Sequence, residues 1–251
     1  MKIASTHPTI RMEEDADFVK QIILKNQGLS GNSSIIHEYE TALKCYFNSN
    51  HAIAVSSGTA AIQASLVALG ISPGDEVIIP VTAAVMSALP ILALGAIPVF
   101  VDCKKNSFAI CVESLRKQIT IKTKAIISVP MWGYPTFSAE LASIAEEFDL
   151  YVIEDAAQSI GSRNDKKFEG TNSVIGCFST HEIKLLSTGE GGFVLTDSAE
   201  MDDKIRTYCK LGLNKIGKLK SNFGDNFGLN FKSNSLSAAL GIRELEKLNY
   251  R

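Results

Sequence analysis

Seven short apolar runs, separated by segments with helical periodicity, constrain the fold of this chain more than any other feature. Short runs of this kind are typical of strands that are buried on both faces of a sheet. Strands that alternate with helices favour a mostly parallel sheet with helices on both faces. We therefore predict an α/β fold with strands over residues 52–55, 76–80, 97–102, 124–129, 150–153, 174–179 and 192–196.

The segments between and around these strands are predicted to be helical. In the second of them, Ile36, Tyr39 and Leu43 share one face, and either Ser33 or Ser34 caps its start. A loop rich in lysine, glycine and asparagine is expected over 214–227. The predicted helices cover residues 13–24, 34–46, 60–69, 83–94, 112–119, 138–148, 201–211 and 235–248.

Composition and charge exclude several classes of protein. The 251 residues suit one large domain or two small ones, and their formal net charge is −2. This charge gives no field to attract nucleic acid or an anionic membrane, so we expect neither as a partner. The longest apolar stretch, over 77–101, is interrupted by proline, glycine and hydroxyl residues, so no membrane span is predicted.

Cysteine and histidine usage favours neither a disulfide framework nor a metal site. The five cysteines form no CxxC pair, and the four histidines show no HxxxH or HExxH spacing. An odd number of unpaired cysteines fits a reducing cytoplasm, and the N-terminus lacks the apolar core of a signal peptide. We therefore expect a cytoplasmic protein without a bound metal.

The segment that follows the first strand is the first part of the chain to indicate a binding site. Ser57, Gly58 and Thr59 lie between strand 52–55 and an alanine-rich helix, where the free N–H groups and positive dipole end of a helix can bind an anion. This pattern fits a phosphate site, with the Ser57 and Thr59 hydroxyls as further donors. It also fits an ordinary N-cap before a helix, and the segment alone favours the N-cap.

Two further residues complete a recognisable set. Asp155 follows the strand over 150–153, and Lys184 lies in a loop with Ser179, between the last two strands. Pyridoxal phosphate needs helix N–H groups for its phosphate, a carboxylate for its pyridine nitrogen and a lysine for its aldehyde. A lysine becomes nucleophilic when desolvation or a neighbouring cation lowers its pKa. We expect Asp155, buried beside a cation, to favour its charged form.

The chain resembles the DegT/DnrJ/EryC1/StrS family of pyridoxal-phosphate-dependent aminotransferases, most of which act on sugars. The resemblance covers nearly the whole chain and keeps the motif order of the family. It implies the large domain of the aspartate aminotransferase fold type, also known as fold type I. The motifs that carry it are SSGTAAIQASLVALGISPGDEVIIP, GAIPVFVD, VIEDAAQSIGS, FSTHEIKLLSTGEGGFVLTD and GLNFKSNSLSAALGIRELEKL.

The resemblance also implies roles for individual residues. Lys184 forms the aldimine with the cofactor and catalyses with Asp155, which holds the pyridine nitrogen. An asparagine from the partner subunit, here at Asn230, reaches the phosphate, so a homodimer is expected. His181 relays a proton or contacts substrate, or else only packs in its loop. The remaining cofactor-binding positions are Gly58, Thr59, Gln158 and Ser179.

The sequence departs from the family pattern at several positions, among them Met131 in place of a histidine and Phe231-Lys232 in place of the usual Tyr-Arg. Ala84 stands where most members carry an aromatic residue that stacks on the cofactor ring. Members also carry a C-terminal small domain, which we expect to be absent or truncated after Arg251. Residues 1–251 then form the cofactor-binding domain, with 1–32 as an N-terminal arm and loop. Without that small domain, the apolar face of the last helix, with Leu240, Leu245 and Leu248, is expected to lack its cover.

By this resemblance the chain moves an amino group from an amino acid donor, such as glutamate or glutamine, to a keto sugar or related cyclic ketone. The fold alone does not establish that activity. A second interpretation is a non-catalytic regulator that binds pyridoxal phosphate, or one half of a split enzyme. The expected missing domain favours this second interpretation.

Overall fold

The computed structural model describes residues 12–25, 28–213, 215–216, 219–220 and 226–250. The predicted N-terminal arm and the predicted loop over 214–227 therefore lie partly outside the described residues. The helices are α1 Glu13–Leu24, α2 Ser34–Phe47, α3 Gly58–Ala68, α4 Val85–Ala93, α5 Val112–Gln118, α6 Ala139–Glu147, α7 Ala199–Cys209 and α8 Ser235–Lys247. The strands are β1 His51–Val55, β2 Glu76–Pro80, β3 Ile97–Val101, β4 Thr123–Ser128, β5 Tyr151–Asp155, β6 Arg163–Asn164, β7 Lys167–Phe168, β8 Ile175–Ser179, β9 Gly192–Thr196, β10 Lys215–Ile216 and β11 Leu219–Lys220.

Seven strands form one mostly parallel sheet in the order β1-β9-β8-β5-β4-β2-β3. The neighbours from β8 to β3 all pair in parallel, whereas β9 runs antiparallel to both β8 and β1. A helix separates most consecutive parallel strands, but only a loop joins β8 to β9, so the chain reverses there. The structure thus confirms the predicted α/β fold.

Side chains that alternate along the strands divide the core between the two faces of the sheet. Val77 and Ile79 of β2 pack on one face with α3, α4 and α7. Ile78, between them, packs on the other face with α5 and α6. The same second face carries α1, α2 and α8 next to β1, β8 and β9. Helices therefore cover both faces, as the sequence predicts.

The prediction that the last helix lacks its cover was wrong for Leu245 and Leu248, while Leu240 is half-buried. Leu245 and Leu248 are almost completely buried in the cluster that α8 forms with α1 and α2. Arg243 and Lys247 of α8 also pair with Asp15 of α1, whose side chain is buried. The earlier part of the chain covers this apolar face, and the prediction did not consider that packing.

A two-stranded hairpin after β5 was not predicted. Arg163–Asn164 and Lys167–Phe168 pair across a tight turn in which Asp165 has a positive φ of 54°. Aspartate tolerates this left-handed conformation better than most residues. Strands of two residues are too short for an alternation signal.

Glu169, next to this hairpin, is a fully buried carboxyl group. Neither of its oxygens is within good hydrogen-bond geometry of a described residue, although the Thr136 backbone is near enough to oppose part of the pKa shift. Burial, and then the nearby charge of Glu154, raise the pKa of Glu169 from 4.5 to about 7. The folded state therefore holds this proton more tightly than the unfolded state, and stability must fall as the pH rises from 4.5 through 7.

We expect the Glu169→Gln variant to be more stable than the parent protein above pH 7. Each unit of pKa shift corresponds to about 1.4 kcal/mol, so the gain in unfolding free energy reaches at most about 3 kcal/mol. It should shrink towards zero as the pH falls to 4.5. Denaturant titrations at several pH values measure it, with Glu38→Gln on the exposed side of α2 as the control. Equal gains for both variants, or a gain independent of pH, would show that Glu169 does not titrate in this way.

Membrane insertion has no candidate segment in the described part of the chain. No helix there is both long enough and apolar enough to span a bilayer.

Candidate active site

The start of α3 and the end of β8 come together at the carboxyl edge of the sheet. A Cβ atom on Gly58 would lie only 2.8 Å from the Cβ of Ser179. A Cβ on Gly192, the first residue of β9, would lie 2.7 Å from the backbone nitrogen of Gly58. Only glycine allows these close approaches. The structure thus brings together Gly58 and Ser179, which the resemblance assigns to the phosphate.

Ser57 is the N-cap of α3, as the simpler interpretation of this segment predicts. Its side chain accepts a hydrogen bond from the Ala60 N–H at 3.0 Å. A helix leaves its first four N–H groups without partners inside the helix. Because Ser57 takes up the third helical N–H, those of Gly58 and Thr59 remain for an anion. Capping and anion binding are therefore compatible here.

Asp155 is the last residue of β5, and its side chain is only 5% exposed. The Ser87 hydroxyl donates a hydrogen bond to Oδ2 at 2.6 Å, and the Ala157 N–H donates one to Oδ1 at 3.2 Å. Burial raises the pKa of Asp155, while these two hydrogen bonds and the charge of Lys184 oppose the shift. Burial outweighs the opposite charge of Lys184, so Lys184 alone does not give Asp155 the charged form that is expected beside a cation.

The loop that carries Lys184 is fixed by its own hydroxyl groups. The Oγ1 atoms of Thr180 and Thr188 lie 2.7 Å apart, and the Thr188 N–H donates to the Thr180 carbonyl at 2.8 Å. Gly191 has a φ of 152°, and a Cβ there would clash with both hydroxyls. These contacts hold the ends of the loop together and set the position of the lysine.

Lys184 itself is half-buried, and its environment favours the neutral amine. Burial lowers the pKa of Lys184, and the charge of Asp155 opposes that shift. The two groups are thus close enough to interact electrostatically. The sequence predicts a lysine activated by desolvation, and burial has that effect here.

Lys184 and Gln158 line one cavity of about 770 Å³ at this edge of the sheet. Pockets of this size hold cofactors and small-molecule substrates. The cavity extends from Lys184 to Trp132, Arg163 and the end of α8. Ser179, Thr59 and Asp155 are not part of its lining.

His181 makes its contacts inside the lysine loop. Its Nε2 lies 3.6 Å from Oε1 of Glu190, and the Ile183 N–H donates to its Nδ1 at 3.4 Å. His181 is not part of the cavity lining. Both roles given for His181, contact with a proton or substrate and packing in the loop, therefore stay predictions.

Asn230 and Ala84 lie outside the cavity lining. Asn230 forms a β-bridge with Lys210, its side chain accepts a hydrogen bond from Lys232, and it is exposed. Ala84 is the half-buried N-cap residue of α4. Among the described residues, no contact joins Asn230 to Lys184.

The remaining residues fit pyridoxal phosphate. The glycine contacts leave a cradle at the start of α3 where helix N–H groups and a hydroxyl can hold a phosphate. A buried carboxylate and an amine with a lowered pKa lie close to each other at the same edge. This is the donor set that the cofactor requires.

Comparison with known proteins identifies the family. The model of the DegT/DnrJ/EryC1/StrS aminotransferase family matches residues 9–251. The chain belongs to this family.

Relatives in the DegT/DnrJ/EryC1/StrS family show what the chain is similar to. It is 34% identical to GDP-perosamine synthase of Escherichia coli O157:H7, covering 89% of this chain and 61% of that protein. It is 37% identical to the UDP-N-acetyl-3-dehydro-alpha-D-glucosamine 3-aminotransferase of Acidithiobacillus ferrooxidans, covering 76% and 50%. The crystal structure of NtdA from Bacillus subtilis with bound cofactor PMP matches with a TM-score of 0.85 and 29% identity, covering 99% and 58%.

The chain thus spans about half to three fifths of the length of these three proteins. The matches also support the fold type I architecture.

Ser87 is the site residue that sequence reasoning missed. It lies in α4, within VMSALPILA, and is fully buried against Asp155. The sequence offered a signal, because a serine within an apolar helix needs a hydrogen-bond partner when it is buried. The identity of that partner depends on packing across the sheet.

Proposed function

We propose that the chain forms the cofactor-binding part of an aminotransferase that uses pyridoxal phosphate. The enzyme moves an amino group from an amino acid donor to a keto sugar or related cyclic ketone. The observation that carries the proposal is that half-buried Lys184 lies close enough to buried Asp155 to feel its charge, at the edge of the sheet that also holds the glycine-lined start of α3. The names of the sugar-active relatives support a sugar as the acceptor.

In this proposal the start of α3 binds the phosphate. The N–H groups of Gly58 and Thr59 and the hydroxyl of Ser179 donate hydrogen bonds to it, and the dipole of α3 adds favourable electrostatics. Gln158, which lines the cavity, contacts the ring. Pyridoxal phosphate, when bound, supplies an electron sink for charge that develops on the substrate carbon.

Asp155 has the role of holding a proton on the pyridine nitrogen. Its Oδ2 and Oδ1 are already oriented by Ser87 and Ala157. A buried carboxylate is stabilised by an opposite charge beside it. A positive ring nitrogen next to Asp155 supplies that charge, so binding of the ring lowers the pKa of Asp155. Ser87 acts as a positioning residue.

Lys184 has the role of moving the proton at the reacting carbon. Burial lowers the pKa of Lys184, which makes its amine a better proton acceptor than an exposed lysine at the same pH. Because the ends of its loop are fixed by Thr180, Thr188 and Gly191, the amine stays oriented through the transfer.

The experiment follows the amino group. Cofactor-loaded protein is incubated with ¹⁵N-labelled L-glutamate or L-glutamine and a set of keto sugars linked to UDP or GDP, and the products are identified by mass spectrometry. We expect release of the 2-oxo acid and transfer of ¹⁵N to a sugar. Release of no 2-oxo acid from either donor would refute the proposal. The same result would favour a non-catalytic protein if the cofactor still binds.

We further propose a cytoplasmic homodimer with shared sites. The five cysteines are free, which fits a reducing compartment. Helix α4 places Ser87 towards Asp155 and exposes Val85, Met86, Leu89 and Leu92 on its outer side. An exposed apolar face next to a site favours association. A second copy can then supply Asn230, as the family resemblance implies.

Mixing two inactive variants tests the shared site. We expect the Lys184→Ala and Asn230→Ala chains to regain activity when they are unfolded together and refolded. Random pairing leaves about a quarter of the sites with both residues, so activity should approach about a quarter of the unaltered level. Each variant refolded alone is the control. A monomeric protein, or no recovery on mixing, would rule out the shared site.

A further inference from the structure

Glu169 lies directly behind one wall of the large cavity. Phe168, the residue before it, lines that cavity, and so do Ser162 and Gly133. The Glu169 N–H donates a hydrogen bond to the Ser162 carbonyl at 3.0 Å, and the Ser162 hydroxyl donates one to the Gly133 carbonyl at 2.5 Å. A movement of Glu169 is therefore transmitted to two segments of the wall.

The carboxyl group of Glu169 has no room to move further into the protein. The next residue, Gly170, lies so close to β8 and β5 that a Cβ atom there would clash with the Phe178 ring and with Ala156. Interiors packed this tightly do not accommodate a displaced side chain. The outer side can yield, because the β6–β7 hairpin has two residues in each strand and an exposed turn.

A second buried carboxyl group uses the hydrogen-bond donors near Glu169. Glu154 of β5 accepts hydrogen bonds from the N–H groups of Gly170, Asn172 and Ser173 at 2.7–2.9 Å. The side-chain amide of Asn172 donates a fourth at 3.2 Å. The turn after β7 thus serves Glu154, and no described residue donates to Glu169 in good geometry.

No positive charge compensates Glu169 in the described part of the chain. Burial and the charge of Glu154 raise its pKa, and the Thr136 backbone opposes part of that shift. Arg163 stacks on the Phe168 ring with its guanidinium carbon 3.7 Å from the ring centroid, and it is not among the groups that act on Glu169. A carboxylate without a partner is destabilised by burial, so this one either keeps its proton or reaches water.

We propose that Glu169 is a pH-sensitive latch on the wall of the large cavity. With its proton bound, the side chain stays buried and the β6–β7 hairpin is closed against the sheet. When the proton leaves to solvent, the carboxylate reaches water by moving outwards with the hairpin, and the wall formed by Ser162 and Phe168 opens. The ring contacts of Phe168 with Tyr46 and Phe47, at 5.4 and 5.1 Å, oppose this movement. The latch thus controls access to the cavity and does not depend on the reaction proposed there.

The direction of the effect with pH follows from the pKa of Glu169 in the two forms. In the closed form this pKa is about 7, and in the open form, where the carboxyl meets water, it returns to 4.5. The closed form is therefore fully favoured below pH 4.5 and loses that advantage as the pH rises through 7. Between pH 5 and pH 8 the ratio of open to closed protein should rise by about seventyfold.

Amide hydrogen exchange of the whole chain tests the latch. After correction for the intrinsic pH dependence of exchange, protection of the Glu169 and Gly170 amides should fall by about seventyfold from pH 5 to pH 8. The amide of fully buried Ile126, in the central strand β4, exchanges through global unfolding and should stay better protected at every pH. Protection of the hairpin should not vary with pH in Glu169→Gln. Lys167→Gln, which removes an exposed charge from the same hairpin, is the matched control and should behave like the parent.

Three results would overturn the latch. An equal fall of protection in Glu169→Gln would show that another group titrates, and a parent whose hairpin amides lose no protection between pH 5 and pH 8 would show that none does. Protection of Glu169 and Gly170 equal to that of Ile126 would show that the hairpin opens only when the whole protein unfolds. The measurement needs neither cofactor nor substrate, so its outcome is separate from that of the proposed function.

Discussion

Replacing Lys184 with alanine should lower amino transfer by about a thousandfold or more, since positioned proton transfer alone contributes 10²–10⁴-fold. The variant loses the half-buried amine whose pKa burial lowers. The fold should persist, because the loop is held by Thr180, Thr188 and Gly191 rather than by the lysine. Initial rates of 2-oxo acid release, together with thermal unfolding, measure both effects.

Lys122→Ala, which removes an exposed lysine in the turn before β4, is the control and should keep full activity. Small primary amines added to Lys184→Ala should restore part of the rate, because they can carry the missing proton. A variant that keeps its activity, or that unfolds with no rescue by added amine, would contradict the role assigned to Lys184.

The Asp155→Asn variant should lose activity by about a hundredfold or more while its stability stays equal or rises. The amide can keep both hydrogen bonds, because Ser87 can turn its hydroxyl to accept one from the new amide nitrogen. The substitution also removes a carboxylate whose negative charge is destabilised by burial. An amide cannot hold a proton on the ring nitrogen, so the electron sink is weakened. The rate of ¹⁵N transfer and the midpoint of thermal unfolding measure the two effects.

Ser87→Ala is the matched control for this account. It leaves the carboxylate and removes one oriented donor, so we expect a smaller loss of activity than in Asp155→Asn and a lower stability. Equal turnover of Asp155→Asn and the unaltered protein would show that Asp155 does not hold a proton on the ring nitrogen.

The order and type of the main elements could be predicted because local signals define them. The bounds of β2, β9 and α1 match the prediction residue for residue, since turn residues or polar segments flank their apolar patterns. Helices α3 and α7 begin two residues earlier than predicted, because Ser57 and Ser198 cap them and draw the next residues into the first turn.

The site was predictable only in part, because its residues are joined by long-range packing. Asp155 and Lys184 could be predicted from their places after a buried strand and in a hydroxyl-rich loop. The partner of Asp155, Ser87, lies 68 residues earlier in the chain. The burial of the Glu169 carboxyl and the stacking of Arg163 on Phe168 both depend on the β6–β7 hairpin. Its strands are too short to be predicted from a periodic sequence pattern. Local sequence therefore defines the reacting groups, and tertiary packing decides how their charges behave.

Reductive trapping of the cofactor tests the central claim most directly. The cofactor-loaded protein is treated with borohydride, digested and mapped by mass spectrometry. The account predicts one pyridoxyl group per chain, attached to the Nζ atom of Lys184. Attachment to any other lysine, or a protein that holds the cofactor yet yields no attached group, would contradict it.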